Sequence, residues 1–296
     1  MNDKHNKKLK ASLSLFLNYM KKAIYFSLLF IIILTVASAC GKKLPNNGIP
    51  FYIVIDSTMV QADPVTQGSS SSKIDEIWVE MGSQNLGVYE LPARIPVLAE
   101  PGNYTVSITA GIKNKGISGQ RNRYPFYQTE NYAVTLGDTQ EIKLSPIFKY
   151  FDITKFIIKE GFETSNSFIS NMTIISDVNV FEGSNSGLMT VAPLSAVETK
   201  TNSVLIPTGS VAYIELDYKS NIAFRVGYES VVSGLTQRTT EVTVNGKDTW
   251  SKMYIELTAD LSRSQSEVFS FFINTDNGDS TTTGQIYIDN FKVVYY

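Results

Sequence analysis

The chain reads as all-β, with two consecutive sandwiches following a removable leader. Three observations carry this reading. Tyr and Phe number 16 each, beside many Thr, Val and Ile, and these residue types suit a pleated, half-buried surface. Apolar and polar residues alternate over short segments bounded by Gly, Asn, Asp and Pro. No segment holds apolar residues at helical spacing through three turns.

The leader comes first. Lys21 and Lys22 precede an apolar run from Ile24 to Ala37, which ends in Ala37, Ser38 and Ala39 directly before Cys40, the only cysteine. A charged, then apolar, then small-residue order is that of a secretory signal. At 14 residues the run falls short of the roughly 20 that a membrane span needs. Met20 before the two lysines would make a compact start of its own, so residues 1–19 are set aside in fold reasoning. Leu34-Thr35-Val36-Ala37-Ser38-Ala39-Cys40 resembles the bacterial lipobox, with Ala37 where leucine is usual. The resemblance implies cleavage before Cys40 and a lipid on that cysteine. Each buried acyl methylene contributes about 0.8 kcal/mol, so two or more chains anchor the protein without help from the folded part.

Cleavage there would remove six lysines, Asp3 and His5, leaving 20 basic against 27 acidic residues, a net charge of −7. That sign disfavours nucleic acid as a partner. With Cys40 the sole cysteine and His5 the sole histidine, the mature chain has no disulfide. It also lacks histidine for zinc ligation, for a nucleophilic triad or for proton transfer near neutral pH. The expectation is a protein that is not an enzyme.

Residues 40–48, the lipidated cysteine followed by Lys, Asn, Gly and Pro45, read as a tether. A first domain is expected over 49–148. Strands are placed at Phe51 to Asp56, Ile74 to Glu80, Leu86 to Glu90, Asn103 to Ile112, Tyr132 to Leu136 and Gln140 to Leu144, with Gly137-Asp138 turning the last hairpin. About 100 residues with about seven short strands suggest an immunoglobulin-like sandwich. Gly68 to Ser72 is a polar loop too poor in apolar groups to pack.

A second domain is expected over 149–296. Ile222, Phe224, Val226 and Tyr228 present one apolar face, and Met253, Ile255 and Leu257 alternate with Lys252, Tyr254 and Glu256. Asn245-Gly246 signals a turn. About nine strands in this length fit a two-sheet jelly roll. In the last strand Ile286 and Ile288 set one phase, while Phe291, Val293 and Tyr295 set the other. A β-bulge at Asp289-Asn290 would restore a common inward face and re-aim Asp289.

Gly161-Phe162-Glu163, the run from Glu182 to Leu188 and the run from Tyr287 to Val293 give this domain its resemblance to the jelly-roll carbohydrate-binding modules of secreted bacterial proteins. The likeness covers about half of the chain. It implies glycan or another extracellular polymer as ligand. It also implies a structural calcium where the first and last strands meet, carried over onto Glu163 and Asp289, with Glu182 as a third oxygen ligand. Candidate rings for stacking on a sugar are Trp250, Tyr228, Tyr254 and Tyr218.

The first domain, through Ile77-Trp78-Val79-Glu80, Tyr89-Glu90-Leu91-Pro92 and Arg121 to Tyr127, resembles β-sandwich regions of Bacteroidota lipoproteins. That implies an outer-membrane, lipid-anchored location. The cations in Gly41-Lys42-Lys43-Leu44 leave the cell surface and the periplasmic face both open. Arg121, Arg123, Tyr124, Phe126 and Tyr127 mix cations and aromatics as interface hot spots do, which points to a protein partner. The second function class is therefore a structural subunit of an outer-membrane β-barrel complex.

Two further signals fail on their spacing. Glu215-Leu216-Asp217-Tyr218 resembles the catalytic strand of laminarinase-like glycosidases, but Ser220 and Asn221 stand where a second glutamate is needed. Asn274 to Asp279 resembles an EF-hand loop whose glycine is one place early and whose closing glutamate is Gln285, so it reads as a polar hairpin turn.

Overall fold

The computed structural model describes Met20 and residues 50–137, 141–278 and 281–296. Cys40, the apolar leader and the tether lie outside the described residues. Residues 50–296 form a single compact unit around two hydrophobic cores, and its regular structure is nearly all β.

The first sandwich contains β1 (Phe51–Ile55), β2 (Met59–Val60), β3 (Glu76–Met81), β4 (Gln84–Glu90), β5 (Ala93–Val97), β6 (Gly102–Lys113), β7 (Arg121–Arg123), β8 (Glu130–Leu136), β9 (Glu141–Lys143) and β10 (Ile147–Phe148). One sheet runs β5-β1-β9, with β9 parallel to β1. The other runs β4-β3-β6, and the long β6 carries β8 on its first half and β7 on its second. Alternate residues of both sheets, including Ile53, Ile55, Ile77, Val79, Ile95, Val106 and Ile108, meet between them.

The second sandwich follows with β11 (Lys155–Glu160), β12 (Thr173–Ile175), β13 (Ser186–Val191), β14 (Ala196–Lys200), β15 (Val204–Leu205), β16 (Ala212–Ser220), β17 (Phe224–Val232), β18 (Leu235–Val244), β19 (Lys247–Glu256), helix α1 (Thr258–Ser264), β20 (Val268–Asp276) and β21 (Gly284–Tyr295). Six strands make one sheet in the order β12-β13-β21-β16-β19, with β11 also on β21. Five make the other, β14-β20-β17-β18 with β15 on β20. The expected bulge is present. Glu215 pairs with Lys292 and Asp217 with Asp289, so β21 holds one extra residue there, and Asn290 takes φ 48°. The slip puts Ile286, Ile288, Phe291, Val293 and Tyr295 in one core.

Three expected turns link strands of different sheets. The Asn245-Gly246 dipeptide links β18 of the five-stranded sheet to β19 of the six-stranded one, so it turns a corner between sheets. Asn274 to Asp276 close β20, and the chain then enters β21 of the opposite sheet. Gly137 leads from β8 to β9, which again lie in different sheets. A turn dipeptide permits a reversal but does not choose the strand paired after it. Tight hairpins are at Gly82-Ser83 between β3 and β4 and at Ser233-Gly234 between β17 and β18, and in the second both residues take positive φ as a type I′ turn requires. Helix α1, whose Leu261 is buried, had no signal in the apolar spacing.

The outward face of the six-stranded sheet is where the alternation rule stops applying. Tyr254 and Lys252 of β19 and Glu215 and Asp217 of β16 point away from the jelly-roll core, yet all four are buried. The first sandwich covers them, and Tyr213, Tyr254 and Val294 belong to its hydrophobic cluster.

Candidate functional site

Three places gather chemistry: the seam between the sandwiches, a cavity beside the β21 bulge, and the free face of the five-stranded sheet.

The seam holds a closed polar network. Glu215 is fully buried, and its Oε1 accepts hydrogen bonds from the Tyr124 hydroxyl at 2.5 Å and the Tyr150 hydroxyl at 2.8 Å. Lys252 Nζ lies 3.4 Å from Asp217 and 3.7 Å from Glu215. The Asn290 amide donates to Asp217 at 3.1 Å. Burial, reinforced by the Glu215 charge, pushes the Tyr124 and Tyr150 hydroxyls well above the ordinary phenol range. A buried carboxylate with two phenol donors and a lysine beside it is satisfied where it stands. Glu215 therefore joins the two sandwiches, while Asp217 bonds Lys252 and Asn290 within the second.

Tyr124, Phe126 and Tyr127 lie in the same seam, with Tyr124 edge-on to Tyr213 and Tyr127 edge-on to Tyr150. They form an interface, but an internal one between the two halves of this chain. Arg121 and Arg123 part from them because residues alternate along β7. Both arginines lie on the outer sheet face, Arg121 with Glu76 and Glu90 and Arg123 with Glu80.

The cavity, of about 390 Å³, is bordered by Val65, Gly68 and Ser69 of the first sandwich and by Lys159, Glu163, Glu182, Asp289 and Lys292 of the second. The polar segment from Gly68 to Ser72, read as too polar to pack, is held here through its backbone. Lys159 Nζ donates to the carbonyls of Val65 and Thr66 at 2.9 and 3.0 Å, Lys292 Nζ donates to that of Ser69 at 2.6 Å, and the Ser69 hydroxyl bonds Glu182. Burial brings the Lys292 ammonium down to about 8 and raises the Asp289 carboxyl to about 6.

The three expected calcium ligands are neighbours here, but their oxygens face hydrogen-bond donors. Glu163 Oε1 accepts from the backbone N–H groups of Ser184 and Asn185 at 2.8 and 3.2 Å. Asp289 accepts from the Ser186 hydroxyl at 2.7 Å and from the N–H groups of Glu182 and Asn290. Glu182 accepts from the Asn290 amide at 2.9 Å. Among the described residues no group of three or more Asp, Glu, His or Cys is placed to hold a metal. The donor set therefore does not fit calcium: these carboxylates order the loop from Glu182 to Ser186. Gly183 makes that approach possible, since a Cβ there would stand 2.1 Å from Glu163 Oε1. Sequence reading missed Glu160, whose two carboxylate oxygens accept from the N–H groups of Phe162 and Ser167 at 2.6 Å each.

Of the four candidate stacking rings, three are interior. Tyr228 packs edge-on to Phe269, Tyr218 edge-on to Phe224, and Tyr254 lies in the seam and accepts the Lys73 N–H. At 5% exposure or less, none has a face to offer a ligand. Trp250 is half-buried beside Phe181 and Tyr287, at the end of the six-stranded sheet that the first sandwich leaves open.

The outer face of the five-stranded sheet is polar, and sequence reading passed over it. Arg238 of β18 lies over the Phe272 ring, 3.6 Å from its centroid. Its guanidinium bonds Glu198 of β14 and, at 2.7 Å, Glu229 of β17. Lys200 bonds Glu229 at 3.0 Å. Burial works to raise the Glu198 carboxyl, but hydrogen bonds from Arg238 and Asn274 outweigh it and hold that group below its ordinary range. Gly227 clears the space for Phe272, because a Cβ there would come within 2.4 Å of the ring. The Asn274 carbonyl oxygen is buried without a donor. Alongside is a groove of about 230 Å³ lined by Lys200, Asn202, Glu229, Val231, Thr236 and Ser270.

No family model matches the chain, and no curated protein matches it. Solved structures do. One, from a study of promiscuous specificity in carbohydrate-binding modules of the β-sandwich superfamily, is 16% identical with a TM-score of 0.38 and covers 84% of this chain and 99% of its own. A family 61 carbohydrate-binding module in complex with β-1,4-galactotriose is 13% identical with a TM-score of 0.34, over 47% of this chain and 97% of that one. The C-terminal family 22 module of Clostridium thermocellum Xyn10B is 16% identical with a TM-score of 0.33, over 47% and 92%.

Proposed function

We propose that this chain is a non-catalytic, lipid-anchored protein of the outer membrane, tethered through Cys40, whose second sandwich holds a glycan or similar extracellular polymer on the outer face of its five-stranded sheet. The observation that carries the reading is the contrast between the two faces of that sandwich. One is sealed by the first sandwich. The other is open and carries a fork of donors on Arg238, acceptors on Glu198, Glu229 and Asn274, an ammonium on Lys200 and a groove beside them. Such a set matches the alternating donors and acceptors of a sugar's hydroxyl groups. Retardation of the full chain in native gels containing soluble polysaccharides tests it. Slowing by at least one polysaccharide, and its loss in Arg238→Ala, is the expected result.

A second reading, a structural subunit of an outer-membrane β-barrel complex, is favoured by one observation. Phe181, 39% exposed, lies beside the half-buried Trp250, an apolar patch of the kind that meets proteins. Co-purification of a barrel protein in mild detergent, lost in Phe181→Asp, would select it.

A further inference from the structure

The first sandwich has its own free sheet face, and it repeats the arrangement found on the second. Trp78 of β3 is half-buried there, with the Arg123 guanidinium over its ring at 4.8 Å and held at its far end by Glu80. Next to it, Glu76 is fully buried. Arg121 Nη1 lies 3.0 Å from Glu76 Oε2 and answers its charge, yet neither carboxylate oxygen receives an aligned hydrogen bond. The indole N–H of Trp78 is also buried without an acceptor. Gly111 on the neighbouring β6 makes the notch that these two side chains fill, since a Cβ there would stand 2.5 Å from the Glu76 side chain and 3.1 Å from the indole nitrogen. Desolvation raises the Glu76 carboxyl, against the pull of Arg121 and Lys113.

Buried polar groups that stay unpaired are costly, so an acceptor and a donor left open side by side under an aromatic ring call for a ligand. We infer that this notch is a second, independent binding site, for one ring of a neutral sugar. A hydroxyl group can donate to Glu76 and accept from the indole N–H at once, which neither a cation nor an anion can do. The indole offers the apolar face against which a pyranose lies once Arg123 leaves it. Arg123, whose side chain is 45% exposed and tied at its far end to Glu80, is the side chain that moves aside to admit the ring, while Arg121 stays against Glu76. Two sandwiches, each with an arginine laid over an aromatic beside a glycine notch, would let one chain hold a polymer at two points.

Because Trp78 and Trp250 are the only tryptophans, the full chain in detergent micelles carrying Trp250→Phe reports from Trp78 alone. It is titrated with cellohexaose, xylohexaose, laminarihexaose and mannohexaose. The expected result is a saturable shift of Trp78 emission with at least one of these, weakened about tenfold or more by Glu76→Gln, which keeps the side chain's shape and removes its charged acceptor. Arg238→Ala, confined to the second sandwich, should leave the shift in place. An emission unmoved by all four sugars, or unchanged affinity in Glu76→Gln, overturns the site. Loss of the shift in Arg238→Ala would show that Trp78 only senses binding elsewhere, and would overturn its independence while leaving the second sandwich's site standing.

Discussion

The Tyr150 hydroxyl, at the end of the first sandwich, donates a hydrogen bond of 2.8 Å to the buried Glu215 carboxylate of the second. A side chain read in sequence as the remnant of a catalytic strand is thus the centre of the contact that joins the two halves. Removing it leaves Lys252 buried among phenols with half of its counter-charge gone. Glu215→Ala should therefore destabilise the chain by about 3–5 kcal/mol, the usual cost of orphaning a buried charge. Tyr150→Phe deletes one donor from a shared carboxylate and should cost about 1–2 kcal/mol. Urea unfolding midpoints of the two variants measure both.

Because the seam is hydrophobic as well as polar, with Tyr213, Tyr254 and Val294 packed into the first core, the halves should unfold together. Trp78 sits in one sandwich and Trp250 in the other. Single-tryptophan variants, each replacing the other indole with Phe, should give coincident denaturation midpoints. Separate midpoints would mean that the seam does not couple them.

Asp289 makes a prediction about pH. Its folded value of about 6 is raised above the ordinary 3.8, so the native state binds a proton that the unfolded chain releases. That contribution is fully present below about 3.8 and is lost as pH rises through 6. Relative to Asp289→Asn, which has no such titration, the wild type should lose about 1–3 kcal/mol between pH 4 and pH 6.5. Thermal midpoints of the two proteins across that range test the sign.

The carboxylates around the β21 bulge are bonded to N–H and O–H donors, and on that account calcium contributes nothing to stability. Adding EDTA to purified protein should leave its thermal midpoint unchanged, and a fall of several degrees would restore the cation. Gly183→Ala, by contrast, forces a side chain onto Glu163 at a positive φ of 70° and should destabilise by about 1–3 kcal/mol.

Much of this fold was legible in advance because it depends on period. Phe224, Val226 and Tyr228 turn inward as their alternation requires, and the phase slip after Ile288 located the bulge to the residue. What alternation cannot see is a second layer. Tyr254 and Glu215 stand at outward positions, and only the arrival of the first sandwich buries them. Residue type alone makes Tyr228 and Tyr218 resemble ligand rings, but a strand-rich core needs rings just as a binding face does. The open face went unread for the opposite reason. Arg238, Glu198, Glu229 and Phe272 come from four strands, and no local spacing announces a cluster assembled by pairing across a sheet.

The central claim is that the uncovered sheet of the second sandwich holds a glycan. Isothermal titration of the full chain in detergent with soluble polysaccharides, wild type beside Arg238→Ala and Glu229→Gln, tests it most directly. The expected result is saturable binding of at least one polysaccharide by the wild type, weakened about tenfold or more in both variants as charged hydrogen bonds are lost. Undiminished binding in both variants, or no heat with any polysaccharide, would contradict it.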